Sequence, residues 1–130
     1  MMSIDKNLLC ELMKKSLSAR ENAYAPYSGF KVGAALLAES GKFYTGCNFE
    51  NASFGAGTCA ERVALGSALA AGERKFLAIC VTAGRIVTPC GICRQALSEF
   101  GDLEVFCADT NGNSKRFKLS ELLPEAFELC

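Results

Sequence analysis

The chain has 130 residues, 50% of them hydrophobic, and its 14 basic residues balance 14 acidic ones. A chain of this length is expected to form one domain, residues 1–130, with a core of its own. Zero net charge argues against a nucleic-acid partner, because no excess of positive charge faces a phosphate backbone. No apolar run approaches the roughly 18 residues of a membrane span, so we expect no membrane partner. The first residues lack the layout of a signal peptide, which predicts a cytoplasmic location.

The first elements in chain order are a helix and a hairpin. Apolar residues recur at helical spacing between residues 4 and 22, which predicts an amphipathic helix. Residues 30–39 form an apolar segment that ends at the turn Ser40-Gly41, and residues 42–49 have the pattern of a returning strand. These two strands are therefore predicted to pair antiparallel.

The middle of the chain alternates between helices and strands. Residues 61–71 are predicted to form a helix, closed by Gly72 in a left-handed conformation. Residues 76–83 form a nearly continuous apolar run, which is typical of a central strand covered on both faces. Residues 91–100 predict another helix, and residues 103–108 another strand.

The last elements complete a sheet. Asn111-Gly112 predicts a two-residue turn, after which residues 115–119 return antiparallel. Ser120 is predicted to cap a short helix at residues 121–123, broken by Pro124. The order α-β-β-α-β-α-β-β-α predicts an α/β fold, a three-layer α/β/α sandwich around a five-stranded mixed sheet.

Two cysteine motifs carry the predicted chemistry. They are Thr58-Cys59-Ala60-Glu61-Arg62 and Pro89-Cys90-Gly91-Ile92-Cys93-Arg94. A catalytic zinc site uses three protein ligands and leaves a fourth position for water, which predicts Cys59, Cys90 and Cys93 as ligands of one Zn²⁺ per chain. Cys-x-Glu followed by Pro-Cys-x-x-Cys is the signature of zinc nucleobase deaminases, in which the glutamate moves protons, so Glu61 is the predicted catalytic residue. The chain has no histidine, which excludes a mixed Cys/His site and a histidine base.

Each motif also has an alternative interpretation. Thr58-x-x-Glu61 matches a capping box, in which the glutamate only closes the start of a helix. The Pro-Cys-x-x-Cys motif alone matches a thioredoxin-like redox pair. The three cysteines also suit a closed four-cysteine zinc site, with Cys80 or Cys107 as the fourth ligand. Both of those cysteines lie in predicted strands, where small core residues are the simpler expectation.

Over nearly its whole length the chain resembles the small homotetrameric cytidine deaminases. The segments that carry the resemblance are residues 24–30, 31–35, 46–52, 59–62, 89–95 and 121–127. The resemblance implies the cytidine deaminase fold and a small-molecule nucleoside substrate. It implies hydrolytic, zinc-dependent deamination of cytidine, and of 2′-deoxycytidine, to uridine or deoxyuridine and ammonia, a reaction of pyrimidine salvage. It further implies a homotetramer whose active sites are shared between subunits, with Phe127 lent by a neighbour.

The resemblance also assigns substrate-binding residues. Asn48 and Glu50 match a pair that hydrogen-bonds the ribose hydroxyls, although composition alone favours ordinary polar residues at a strand end. Phe30 matches a residue that lies against the pyrimidine and the sugar, where the pattern alone favours a core residue. The Ala60 backbone N–H matches the group that holds the 2-carbonyl of the base. Residues 55–57 are smaller than is usual in the family, which leaves one wall of the pocket undefined.

Two arginines are candidates for balancing the charge of the metal site. Three thiolates on Zn²⁺ leave a net charge of about −1, which weakens the metal as a Lewis acid. A hydrogen bond from an arginine to a thiolate withdraws electron density, and helix N-termini add positive potential. Arg62 matches the thiolate-bonding arginine of the family, and Arg94 is predicted to act in the same way. The alternative is that both are solvated helix residues.

Two other functions stay open at this stage. One is deamination of a different cytosine-containing compound such as blasticidin S, against which Phe30, Asn48 and Glu50 argue because they resemble a site for free ribose. The other is a non-catalytic interaction module stabilised by zinc, for which a closed four-ligand site would be diagnostic.

Overall fold

Five strands form a single mixed sheet in the structure, a computed structural model that describes residues 4–129. The strands are β1 (Gly33–Ala38), β2 (Phe43–Cys47), β3 (Phe76–Ala83), β4 (Glu104–Asp109) and β5 (Ser114–Lys118). The helices are α1 (Lys6–Arg20), α2 (Ala60–Ala70), α3 (Gly91–Ser98) and α4 (Leu119–Leu122), with a 3₁₀ turn at Phe54–Ala56. Residues 1–3 and 130, which belong to the predicted domain, lie outside the described residues.

The sheet order is β2-β1-β3-β4-β5. Strands β3 and β4 are parallel and the other neighbours are antiparallel, so Leu36 of β1 lies opposite Tyr44 of β2 and Ile79 of β3. The parallel pair requires a crossover, which α3 supplies. The predicted mixed sheet and its antiparallel last strand are confirmed.

Helices cover both faces of the sheet, because successive strand residues point to opposite sides. Ala35 and Leu37 pack with Leu12 of α1. Their neighbours Leu36 and Ile79 pack with buried residues of α2 and α3 on the other face. The predicted three-layer arrangement is confirmed. None of the helices within residues 4–129 is long and apolar enough to cross a membrane.

A backbone contact fixes the position of α2. A Cβ atom on Gly46 of β2 would lie 2.5 Å from the Ala64 nitrogen and 2.6 Å from the Ala60 oxygen. Only glycine therefore lets the first turns of α2 rest directly on the strand. The far end of the helix closes as predicted, at Gly72 with φ 95°. Since α2 begins immediately after Cys59, the contact at Gly46 also sets where that cysteine lies.

The turn between β4 and β5 is longer than the predicted two residues. The Asp109 N–H donates to the Asn113 carbonyl at 2.9 Å, and Asp109 Oδ1 accepts from the N–H groups of Asn111 (2.8 Å) and Asn113 (3.0 Å). The two-residue prediction is wrong because the Asp109 carboxylate organises a wider loop. Within that loop, Gly112 has the positive φ, 89°.

The last helix begins earlier than predicted. Lys118 is the N-cap of α4, and its N–H donates to Glu121 Oε1 at 2.8 Å. Ser120 lies inside the first turn, where its N–H and its hydroxyl each donate to the Asp102 carboxylate at 2.8 Å. The prediction that Ser120 caps this helix is wrong, because the helix begins at Leu119 with Lys118 as its N-cap, and Ser120 within the first turn bonds Asp102 instead.

Candidate metal centre and active site

Three cysteine sulfurs converge where two helices begin. Cys59 is the N-cap of α2 and Cys90 the N-cap of α3, while Cys93 lies in the first turn of α3. Their Sγ atoms all lie within 4.8 Å of one another, and those of Cys59 and Cys90 are 3.7 Å apart. Ligands about 2.3 Å from a tetrahedral zinc are separated by about 3.8 Å, so this spacing fits three corners of a zinc site. The two helix N-termini add positive potential there.

The thiols of Cys59 and Cys93 hold their protons with different strength in the metal-free chain. A hydrogen bond with Cys93, assisted by Arg62 and opposed by burial, lowers the pKa of Cys59 to about 5. The neighbouring Cys59 sulfur in turn raises the pKa of Cys93. A bound metal ion takes the place of the remaining thiol protons, so its affinity rises with pH.

The other cysteines do not belong to this group. Cys80 is fully buried on the α1 side of the sheet and Cys107 on the opposite side. Within residues 4–129, the only group of three or more potential ligands is Cys59, Cys90 and Cys93. The four-cysteine interpretation is therefore wrong, and Cys80 and Cys107 are core residues as expected. The seven cysteines of this part of the chain are all free, so the Cys-x-x-Cys motif is not a disulfide.

Glu61 is a buried carboxylic acid at the start of α2. Its side chain is only 4% exposed, and burial raises its pKa to about 7. The capping-box interpretation is wrong: Cys59 is the N-cap, without a side-chain cap bond, and the Thr58 N–H donates to Phe49 O at 3.0 Å. A carboxyl group buried without a capping role and with a pKa near neutrality suits proton transfer.

A cavity of about 630 Å³ opens above the cysteines and Glu61. It is of the size that holds small ligands. The structure brings together in its lining most of the predicted site residues, namely Phe30, Asn48, Glu50, Cys59, Ala60, Glu61, Arg62 and Cys90. Ala60, the first residue of α2, has a backbone N–H of the kind that lacks an intrahelical partner. Cys93, Arg94 and Phe127 do not line the cavity.

The carboxylate of Glu50 is held by a segment that sequence reasoning missed as part of the site. Its Oε1 accepts from the N–H groups of Tyr27 (2.9 Å) and Ser28 (3.1 Å), and its other oxygen accepts from the Ser28 hydroxyl. The hydrogen bond from Ser28 lowers the pKa of Glu50. Tyr27 and Ser28 line the cavity, and the only signal for them was their place in the Tyr24–Phe30 motif.

The Asn48 amide supports the segment around Phe30. Its Oδ1 accepts from the Val32 N–H at 2.9 Å, and its Nδ2 donates to the Phe30 carbonyl at 2.9 Å. Because a primary amide has two donors and two acceptor positions, one of each remains for a ligand. Phe30 itself is 37% exposed and lies against the Arg85 guanidinium, 5.5 Å from the ring centroid. It is a wall of the cavity and not a core residue.

Phe127 lies apart from the cavity of its own chain. It is 68% exposed, and its carbonyl accepts a hydrogen bond from Gln95 Nε2 at 3.1 Å. An exposed aromatic side chain of this kind is available to a second molecule.

The two arginines differ. Arg62 Nη2 lies 3.6 Å from Cys59 Sγ, and the neighbouring thiols of Cys93 and Cys59 raise the pKa of Arg62. Arg94 instead donates to three oxygen atoms, those of the Pro89 carbonyl (2.7 Å), the Leu122 carbonyl (2.7 Å) and the Thr88 hydroxyl (2.9 Å). The prediction that Arg94 bonds a thiolate is wrong, because its guanidinium is engaged by backbone and hydroxyl oxygens.

Comparison with known proteins gives the family of the chain. Residues 6–109 match the family described as the cytidine and deoxycytidylate deaminase zinc-binding region. The chain belongs to this family. With three sulfurs at zinc-like spacing, its cofactor is zinc, and it is an enzyme of the deaminase family.

Individual relatives agree with the family match. A cytidine deaminase of Halalkalibacterium halodurans is 48% identical over 120 residues, covering 89% of this chain and 91% of that protein. Another, from Sporosarcina psychrophila, is 46% identical over 121 residues, covering 90% and 89% of the two chains. The crystal structure of a cytidine deaminase from Burkholderia pseudomallei superposes with a TM-score of 0.88 at 47% identity, over 95% of this chain and 100% of that one.

Proposed function

We propose that this chain hydrolyses cytidine, and also 2′-deoxycytidine, to uridine or deoxyuridine and ammonia. The observation that carries the proposal is a buried carboxyl group, Glu61, two residues from a sulfur ligand on the floor of a 630 Å³ cavity. The similarity of the chain to cytidine deaminases, over about nine-tenths of its length, supports the choice of substrate.

The zinc ligands in this proposal are Cys59, Cys90 and Cys93. When bound there, zinc lowers the pKa of a coordinated water from ~15.7 toward ~7, which supplies a nucleophile at neutral pH. Arg62 lies against Cys59 Sγ, and its positive charge offsets part of the negative charge of the three thiolates.

Glu61 is the proposed proton shuttle. Its carboxylate takes a proton from the attacking water and delivers it to N3 of the base as the new bond to C4 forms. It then takes the second proton of the water, now on the C4 hydroxyl, and delivers it to the amine as the C4–N bond breaks, so that water and cytidine are converted to uridine and ammonia. A carboxyl group with a pKa of about 7 accepts and donates a proton with similar ease near neutrality.

The remaining lining residues orient the nucleoside. The Ala60 N–H is proposed to hold the 2-carbonyl of the base, and Phe30 to lie against the base and sugar. Asn48 and Glu50, already fixed by the backbone of residues 27–32, face the ribose hydroxyls with their unused hydrogen-bonding positions. A fixed polar pair discriminates well, since a ligand that leaves it unpaired loses binding energy.

The test is an absorbance assay of cytidine conversion by the zinc-loaded protein. We expect equal amounts of uridine and ammonia, loss of activity on chelation and recovery with zinc. Cys90→Ser should lose zinc and activity, whereas Cys10→Ser, an exposed cysteine on α1, is the matched control and should retain both. A zinc-loaded protein that turns over blasticidin S and not cytidine would contradict the assignment of substrate.

A homotetramer with shared active sites is part of the proposal. Phe127, Phe54 and Leu129 are 68%, 92% and 89% exposed, so these apolar side chains are available for contact with a second chain. Sedimentation should give four chains per particle. Mixing Phe127→Ala chains with Glu61→Gln chains should restore activity, since sites with an intact Glu61 then receive Phe127 from the neighbour. An active monomer, or no gain on mixing, would refute sharing.

We also propose a cytoplasmic location and a single domain. A cytoplasmic location would keep the three thiols reduced, and cell fractionation tests it. Residues 1–130 are proposed to form one domain, for which limited proteolysis should find no internal site cleaved early.

A further inference from the structure

Cys90 has the least side-chain support of the three sulfur ligands. Cys93 is fully buried in α3. Cys59 follows Thr58, whose backbone pairs with that of Phe49 in a short bridge. Cys90, in contrast, is exposed and lies where the β3–α3 loop meets the helix. Since packing does not restrict an exposed side chain, the direction of its sulfur depends on how firmly the backbone is held.

Arg94 holds the backbone on both sides of Cys90. Its Nε donates to the Pro89 carbonyl at 2.7 Å, and its own backbone N–H donates to the Cys90 carbonyl at 3.0 Å. The first bond, made by the side chain, fixes the peptide unit that contains the Cys90 nitrogen. The second is a backbone bond of α3, which Arg94 variants also form, and it fixes the unit that follows. Together they limit rotation about both backbone bonds of Cys90. A third bond, from Nη2 to the Thr88 hydroxyl at 2.9 Å, anchors the residue before Pro89.

The same guanidinium reaches the C-terminal segment, residues 119–127. Its Nη1 donates to the carbonyl of Leu122, the last residue of α4, at 2.7 Å. The next side chain, Gln95, donates to the Phe127 carbonyl at 3.1 Å. The loop that carries Cys90 is therefore tied through Arg94 to a segment that contributes no metal ligand.

We propose that Arg94 is a positioning residue that sets how firmly the protein retains its metal, by fixing Cys90 against the C-terminal segment. The proposal rests on the three-cysteine zinc site of the proposed function but is independent of which substrate is deaminated. Outer partners that orient a ligand typically change metal affinity by about 10- to 100-fold when removed.

Only an arginine side chain makes these three hydrogen bonds at once. A planar guanidinium donates in three directions at once, from Nε, Nη1 and Nη2, whereas a lysine ammonium is a single point on a flexible stem. Lysine at this position can keep one of the three side-chain bonds at a time, and glutamine is too short to span the same acceptors. We therefore expect metal retention to fall in the order wild type, Arg94→Lys, Arg94→Gln.

The experiment measures zinc release from the fully loaded protein into excess chromogenic chelator. Arg94→Gln should release zinc about tenfold faster than wild type or more, with Arg94→Lys between them. The KM for cytidine of the loaded variants should stay within about twofold of wild type, because Arg94 does not line the cavity. The matched control is Arg74→Gln, since Arg74 also bonds carbonyls, those of Leu69 and Glu73, at the far end of α2.

Urea unfolding of each variant separates retention from general stability. Faster release from the Arg94 variants than from an Arg74→Gln protein of equal or lower stability supports the proposal. Release at the wild-type rate from Arg94→Gln, or equally fast release from Arg74→Gln, overturns it. Should Arg94→Gln not fold, Arg94→Lys is judged by the same comparison. Loaded wild-type protein without cytidine turnover would refute the proposed function and leave this measurement unaffected.

Discussion

Replacing Glu61 with glutamine is expected to stabilise the metal-free protein at neutral pH while it removes activity. Burial raises the pKa of Glu61 in the folded chain from the ordinary 4.5 to about 7. The folded state therefore holds this proton more tightly than the unfolded state does. Below pH 4.5 the residue is protonated in both states and costs nothing; as pH rises to about 7 the unfolded state gains by ionising and the fold loses stability.

The size of this effect follows from the two pKa values. At about 1.4 kcal/mol for each pH unit between them, the buried carboxyl group costs the fold about 3 kcal/mol above pH 7. Glutamine has nearly the same shape and no proton to lose. The free energy of unfolding of Glu61→Gln should thus exceed that of wild type by about 3 kcal/mol above pH 7, and the difference should vanish by pH 4.5.

The assay is urea unfolding of reduced, metal-free protein at a series of pH values between these limits. Glu73→Gln is the matched control, because hydrogen bonds from Ser40 and Tyr44 lower the pKa of the half-buried Glu73, so its loss should destabilise the fold as pH rises. If the free energies of unfolding of wild type and Glu61→Gln change in parallel over this pH range, the pKa of Glu61 is not raised in the folded chain and the reasoning is refuted.

Two further substitutions test the surroundings of the site. Arg62→Gln should lower turnover by about tenfold with zinc still bound, because Cys59 Sγ loses the cation 3.6 Å away; equal activity across pH would refute charge compensation. Gly57→Ala should raise KM and cost about 1–3 kcal/mol, since the new Cβ would lie 2.7 Å from Phe49 O in the cavity wall. Gly55→Ala, whose Cβ meets nothing within 4 Å, is the control and should behave as wild type.

The sequence predicted the architecture well because each strand carries a strong local pattern. The run at residues 76–83 is β3 without a shift of either end, since a strand buried on both faces is apolar throughout. The ends of the helices were less predictable. Thr58-x-x-Glu61 has the composition of a capping box, but Thr58 bonds Phe49, which lies nine positions away, and Ser120 bonds Asp102. Such partners are set by the tertiary fold and leave no local signal.

The site was predictable in its chemistry and less so in its supports. Ligand number and spacing indicated the three cysteines, and the charge they carry indicated Arg62. The predicted thiolate bond was wrong for Arg94, because an arginine next to a metal motif is equally able to bond backbone carbonyls. One of those acceptors, the Leu122 carbonyl, is placed by α4, 28 residues further on.

The turnover of zinc-loaded Glu61→Gln with cytidine tests the proposed role of Glu61 most directly. We expect a folded protein that keeps its zinc and its oligomeric state but loses about three orders of magnitude in turnover, because an amide cannot accept the proton of water. Retention of more than about a tenth of wild-type turnover, a loss below ~1.4 kcal/mol of transition-state stabilisation, would contradict Glu61 as the proton shuttle.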